Sequence, residues 1–314
     1  MNISLLTFIL AVFFALNMGG SGMSPSFAAS YGAGAIGKKG AALLFGMFVL
    51  LGAFVAGGKV ITTISSGIVP QDFISAKVAL IILLSAALSL FIANILKVSV
   101  STSSVTVFSL VGVGLYFGKV NVRTLLNIFS FWLILPILAY ILTYLAAKFI
   151  LPLEDKPWVK THERSLKIFV LGAGCYVAFS IGSNNVANAV GPLVASGTLD
   201  KHLSILLIAP FFGLGGLLFR RILKTVGKEI TNLGMLGAAI NGIIVGSLLL
   251  LSSAFGMPEP MVMLGATSVM GIGSVNSGHR FMLSHEVVRK IVSLWVISPL
   301  ISFVVTYVLL ALVC

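Results

Sequence analysis

The chain has 314 residues; 58 per cent are hydrophobic and 9 per cent charged, with 20 Lys and Arg against 8 Asp and Glu. A soluble domain carries about 25 per cent charged residues, and a mean hydropathy of +1.13 leaves too little polar side chain to cover a soluble surface. These figures exclude a soluble enzyme and a disordered chain, and they make the formal charge of +12 a membrane protein's basic excess, not a nucleic-acid surface.

A spanning helix needs about 20 apolar residues. In chain order the apolar runs are 3–18, 40–57, 77–96, 103–118 and 124–150, then 165–181, 203–219, 233–253, 261–275 and 287–313. They predict an all-α integral membrane protein with about 10 transmembrane helices. The first run has no Lys or Arg before it, so it is read as a retained helix and not as a signal peptide. Residues 19–35 and 182–199 are rich in Gly, Ser, Asn and Pro and are expected to be broken or re-entrant. Residues 97–104, KVSVSTSS, form a third weak stretch. The eight acids are Asp72, Glu154, Asp155, Glu163, Asp200, Glu229, Glu259 and Glu286. All sit in connectors or at the edges of runs. An acid inside a bilayer is costly and usually handles ions or protons; none is expected there. Cys175, inside an apolar run, reads as a small hydrophobe. His162, His202, His279 and His285 lie in connectors without a metal-ligand set, so no cofactor is expected. Residues 32–37, GAGAIG, match a dinucleotide fingerprint by letter only, because no strand precedes them and no acid follows at the required distance.

The charged connector 153–167, LEDKPWVKTHERSLK, divides the chain near its middle. Around it the sequence repeats. Shifted by 163, Ile128, Ser130, Trp132, Ile134, Pro136, Thr143 and Tyr144 meet Ile291, Ser293, Trp295, Ile297, Pro299, Thr306 and Tyr307. The same shift places Gly19 on Gly182. A shift of 162 places Lys59 on Arg221, and one of 159 places Gly112 and Gly114 on Gly271 and Gly273. The expected domains are a first membrane repeat 1–152, the connector 153–167 and a second membrane repeat 168–314. Five crossings per repeat, an odd number, force the second copy to run upside down. Inverted repeats of this kind are typical of secondary transporters, with the substrate site where the copies meet. On this topology Lys59, Lys77, Lys119, Arg123 and Lys201 lie on one side and the other 15 basic residues on the opposite one. The positive-inside rule then puts the connector in the cytoplasm and both termini outside.

Two constellations could carry chemistry. Residues 181–192, IGSNNVANAVGP, hold three asparagines within five residues in an apolar setting. Such amides are expensive unless satisfied. A helix broken at Gly182, Gly191 or Pro192 would aim backbone N–H groups and amide donors at an anion. The plainer reading is packing between helices; the matching small stretch 18–32, MGGSGMSPSFAASYG, favours a site. The second constellation is Ser99, Ser101, Thr102, Ser103 and Ser104, whose hydroxyls could ring an oxyanion or bond back to their own helix. Its repeat counterpart, Glu259-Pro260-Met261-Val262, has no hydroxyls. Lys59 and Arg221 are read as side chains that snorkel to the interface.

At these residues the sequence resembles the inorganic phosphate transporter family. The family signature Gly-Ala-Asn-Asp-x-Ala-Asn-Ala is similar to Gly182-Ser183-Asn184-Asn185-Val186-Ala187-Asn188-Ala189, with Asn185 in place of Asp. Val100-Ser101-Thr102-Ser103-Ser104 resembles the family's Val-Ser-Thr-Thr-His, and Gly57-Gly58-Lys59-Val60 and Thr225-Val226-Gly227-Lys228 also fit. In the first half, Ser21-Gly22 stands where the family has Asn-Asp, and Pro25 where it has Asn. Without both signature carboxylates the chain looks like the sulfate-permease (CysP-type) branch. The resemblance implies a homodimeric, inverted-repeat permease of the inner or plasma membrane that takes up a tetrahedral oxyanion. The expected anion is sulfate, with phosphate the alternative. Phosphate carries a proton at neutral pH and rewards a carboxylate acceptor, whereas sulfate has none to donate. The expected donors are Ser21, Gly22, Ser24, Ser101, Thr102, Ser103, Asn184, Asn185 and Asn188. The coupling ion, proton or sodium, stays open; a proton could travel with the anion itself or through Glu259 or Glu286 at the rim.

Overall fold

The computed structural model describes residues 2–95, 100–154, 156–157, 161–218, 234–284 and 286–313. Ser99, Asp155, Arg221, Glu229, His285 and the run Thr225–Lys228, all named above, lie outside them. Among the described residues every regular element is helical. The helices are α1 (Ile3–Gly32), α2 (Lys38–Ala56), the short α3 (Gly58–Thr62), α4 (Ala76–Ile95), α5 (Thr102–Tyr116) and α6 (Val122–Ile150). The second half has α7 (Glu163–Ala195), α8 (Lys201–Ile208), α9 (Pro210–Leu218), α10 (Met235–Ala254), α11 (Met261–Ser277), α12 (His279–Ser284) and α13 (Glu286–Val313). Among the described residues six segments are long and apolar enough to cross a membrane, and four shorter apolar helices accompany them. The chain is a multi-pass membrane protein.

Local chemistry sets the helix ends. Ser101, Asn121 and Asp200 are extended residues whose side chains accept from backbone N–H groups of the following turn, capping α5, α6 and α8. Gly256, at φ +74°, closes α10 in a conformation that suits only glycine and turns the chain toward Met257–Pro260. The run 203–219 becomes two helices because Ala209 and Pro210 interrupt it.

The outer surface is apolar: Leu133, Ile137 and Phe149 of α6 are 69, 60 and 72 per cent exposed, as a lipid-facing helix requires. The interior holds alanine, valine and glycine together with many buried hydroxyls and amides. Helix α7 lies at the centre and packs on α1, α2 and α10, while α1 packs in turn on α4 and α9. Helix α6 packs on α10 and α11; α13 packs on α4 and α5. Cys175 is unpaired and partly buried against the same core.

The expected breaks at 19–35 and 182–199 are corrected by the structure. Helix α1 runs unbroken through Pro25 to Gly32, and α7 through Pro192 to Ala195. Continuing the helix keeps most backbone groups bonded where water is absent. The small residues serve close contact instead. A methyl group on Gly19 would overlap the carbonyl of Phe212 in α9, and one on Gly182 that of Val49 in α2. Gly215 meets the carbonyl of Leu16, and Gly52 that of Phe179. Among the described residues, buried non-helical backbone lies just before α5, at Val100 and Ser101, and just before α11, at Pro258, Glu259 and Pro260.

Candidate functional site

The N-terminus of α5 lies inside the protein: Ser101, Thr102, Ser103 and Ser104 are all buried. The first turn of a helix leaves N–H groups without intrahelical acceptors. Ser101 Oγ takes the N–H of Ser104 at 3.2 Å. Among the described residues no group accepts from the N–H of Thr102 or Ser103. Ser104 Oγ bonds back to Ser101 O, and beyond the run Thr106 Oγ1 bonds back to Thr102 O. The hydroxyls of Thr102 and Ser103 meet α7. Asn188 Nδ2 donates to Ser103 Oγ at 3.2 Å and, more weakly, to Thr102 Oγ1 at 3.4 Å. The structure therefore joins Asn188, Thr102 and Ser103, residues 85 or 86 positions apart, at the buried positive end of a helix.

One helical turn earlier on α7, Asn184 does something different. Its Nδ2 faces Ser252 Oγ at 2.9 Å, Ser253 Oγ at 3.0 Å and Met257 O at 3.0 Å. Its Oδ1 accepts from Glu259 N at 2.8 Å. Both ends of the amide are thereby committed to the turn that links α10 to α11. Ser103 Oγ donates to Glu259 O at 3.0 Å, and Trp132 Nε1 of α6 donates to Pro258 O at 2.8 Å. The backbone of Glu259 is held from both sides, by α7 and by α5.

Glu259 corrects the expectation of an acid-free interior. It is fully buried, and neither carboxylate oxygen has a hydrogen-bond partner among the described residues. The oxygens of Asn185 and Asn188 are likewise buried without partners. Pro-Glu-Pro before an apolar run resembles a surface connector, which is why Glu259 reads from the sequence as an acid at the rim and not as a buried one. The signal lay in the repeat. The register that pairs Met261 with Thr102 pairs Glu259 with Val100, which is itself buried beside α5.

Of the nine expected donors, Ser101, Thr102, Ser103, Asn184 and Asn188 belong to this one cluster. Asn185, on the same stretch of α7, is almost fully buried. The α1 residues stand in contacts of their own. Ser21 Oγ donates to Met18 O, a methyl group on Gly22 would press on Phe45 and Ile181, and Ser24 is buried. Lys59 does more than snorkel: its ammonium donates to Ala254 O at 2.8 Å, at the negative end of α10. His279 Nδ1 meets the hydroxyl of Tyr140, which also bonds Ser274 Oγ. Among the described residues no group of histidine, cysteine and carboxylate side chains could hold a metal ion.

Comparison with known proteins agrees with this architecture. The model of the phosphate transporter family matches residues 18–157 and again 154–306. Sulfate permease CysP of Bacillus subtilis (strain 168) is 41 per cent identical over 307 residues, which are 97 per cent of this chain and 86 per cent of that protein. A solved structure described as the sodium-dependent phosphate transporter superposes with a TM-score of 0.84 over the whole of both chains, at 24 per cent identity. At that identity the likeness speaks for the fold.

Proposed function

The chain belongs to the phosphate transporter family, and on that premise we propose that it is a secondary permease for an inorganic tetrahedral oxyanion, sulfate by preference. The observation that carries this reading is the meeting of Asn188 with Thr102 and Ser103 at the start of α5. Amide, hydroxyl and backbone N–H donors converge there in a buried place that holds no lysine or arginine among the described residues. A helix N-terminus of this kind favours an anion without a buried cation. In the working site, Ser101, Thr102, Ser103, Asn185 and Asn188 face the anion, while Asn184 positions the turn that carries Glu259. Ser21, Gly22 and Ser24 take the equivalent place in α1 and keep the two helices close.

Sulfate is preferred because the two signature positions that would carry a carboxylate hold Gly22 and Asn185. Sulfate is a dianion with no proton to give, so acceptors at those positions would oppose it. The similarity to the sulfate permease of Bacillus subtilis supports this branch. Phosphate stays as the second reading because Glu259 is a buried acceptor beside the cluster, and a protonated phosphate could donate to it.

Two inverted repeats, 1–152 and 168–314 about a cytoplasmic connector 153–167, with some ten crossings and both termini outside, provide alternating access. Reciprocal contacts support this. Gly19 on Phe212 and Gly182 on Val49 exchange under the shift of 163, as do Gly215 on Leu16 and Gly52 on Phe179. Rocking of one repeat against the other would use these close crossings as fixed points. Uptake of radiolabelled sulfate and phosphate into proteoliposomes tests the reading. The expected result is saturable sulfate uptake that excess phosphate leaves intact. Phosphate uptake undiminished by excess sulfate would refute the preference.

A further inference from the structure

Resting on the permease reading, we infer that Glu259 is the proton carrier of the cycle: it takes one proton as the dianion binds and releases it with the anion on the other side. Glu259 is completely buried, its backbone N–H and C=O are fixed by Asn184 and Ser103, and both carboxylate oxygens lack partners among the described residues. An isolated ionised carboxylate so placed is costly, and an unpaired intramembrane acid marks ion or proton handling. Among the described residues no fixed cation neutralises it. The side chains recorded around its turn are Asn184 and Asn188 of α7, Ser103 of α5, Ser252 and Ser253 of α10 and Trp132 of α6. All are uncharged, and α11 carries no titratable residue. Among the described residues the one charged group on the same turn is Lys59, which is exposed and bound to Ala254 O, five residues before Glu259.

The chemistry is a simple protonation. A carboxylate oxygen gains a proton from the side facing the anion, forming one O–H bond, and loses it to the opposite side after reorientation. Linkage makes the two events support each other. A dianion beside Glu259 raises its hold on the proton, and the proton raises the hold on the dianion by the same factor. This also reconciles a buried acid with a donor site, because the loaded form presents no negative charge. The sign follows. Sulfate affinity is highest at low pH, where the carboxyl is protonated, and falls as rising pH ionises it.

The test uses the whole protein. In proteoliposomes clamped at zero membrane potential, an inward gradient of one pH unit concentrates sulfate by about tenfold for each coupled proton. In Glu259→Gln we expect no accumulation, and whatever sulfate counterflow persists is insensitive to pH. Glu259→Asp, which restores a titratable group, regains accumulation. Should Glu259→Gln fail to fold, the wild-type protein decides alone. In weakly buffered detergent, addition of sulfate takes up protons, and sulfate binding weakens as pH rises. Sulfate binding without proton uptake, accumulation of sulfate by Glu259→Gln at the wild-type ratio, or accumulation driven by sodium alone at constant pH each overturns the inference. Absence of any sulfate binding or uptake by the wild-type protein refutes instead the permease reading beneath it.

Discussion

Asn184 and Asn188 lie on one helix, one turn apart, and the structure gives them opposite roles. Replacement of Asn184 by alanine removes the acceptor for Glu259 N and the amide shared among Ser252, Ser253 and Met257 O. A buried N–H left without a partner costs about 1–3 kcal/mol. The two lost donor hydrogens add about 0.6 kcal/mol each, the average for side-chain hydrogen bonds inside membranes. Together the change is about 2–4 kcal/mol, measured as loss of resistance to unfolding in detergent. Asn188→Ala removes only the longer contacts to Ser103 and Thr102, at 3.2 and 3.4 Å. Its stability is expected to fall by no more than about 1 kcal/mol. Its sulfate affinity, read by scintillation proximity or calorimetry, is expected to fall about tenfold or more, the equivalent of one charge-assisted hydrogen bond. An Asn184→Ala variant as stable as wild type would refute the assignment of Asn184 to the turn. An Asn188→Ala variant with unchanged affinity would remove the observation on which the anion site stands.

Asn185→Asp restores the carboxylate of the family signature and places a negative charge where a dianion is to bind. Like charges brought together at a binding surface cost several kcal/mol, so sulfate uptake is expected to disappear, and unimpaired uptake would count against a donor-lined site. Gly19→Ala and Gly182→Ala both press a methyl group on a backbone carbonyl, which no rotamer change relieves. Each is expected to cost about 3 kcal/mol, the upper part of the overpacking range. Gly172→Ala, with nothing within 4 Å of the new carbon, serves as control and gains up to about 1 kcal/mol of helix propensity. A tolerated change at one of the two crossings only would argue against their equivalence.

Much of the fold was legible because membrane helices obey a simple rule. The apolar runs 40–57, 77–96, 103–118 and 261–275 became Lys38–Ala56, Ala76–Ile95, Thr102–Tyr116 and Met261–Ser277. Side-chain polarity reports which residues must leave water, and little else is needed to find such a helix. The pairing of Asn188 with the hydroxyl run was foreshadowed by composition, since both stretches carry polar groups with no surface to occupy. The continuity of α1 and α7 was not legible. Gly, Ser, Asn and Pro are the residues of both a helix break and a tight helix crossing. The difference lies in what faces them, here the carbonyls of Phe212 and Val49, and sequence spacing does not report it.

Glu259 shows the same ambiguity in a sharper form. An acid flanked by prolines between two apolar runs is a surface loop in most chains. Here α10 ends at Ala254 and α11 begins at Met261, and of the residues between them Pro258, Glu259 and Pro260 are buried, held by Asn184, Ser103 and Trp132. Those three groups bond only backbone atoms of the turn, namely Met257 O, Pro258 O, Glu259 N and Glu259 O. The turn would therefore be held in the same way if residue 259 were not an acid. A carboxylate there contributes nothing to the hydrogen bonds that fix the turn, and burying it carries a cost that a glutamine would reduce. Among the described residues no contact accounts for the acid, which accords with the proton-carrying role inferred above. A group that changes charge as the anion arrives supplies a reason for the acid, and a fixed donor could not.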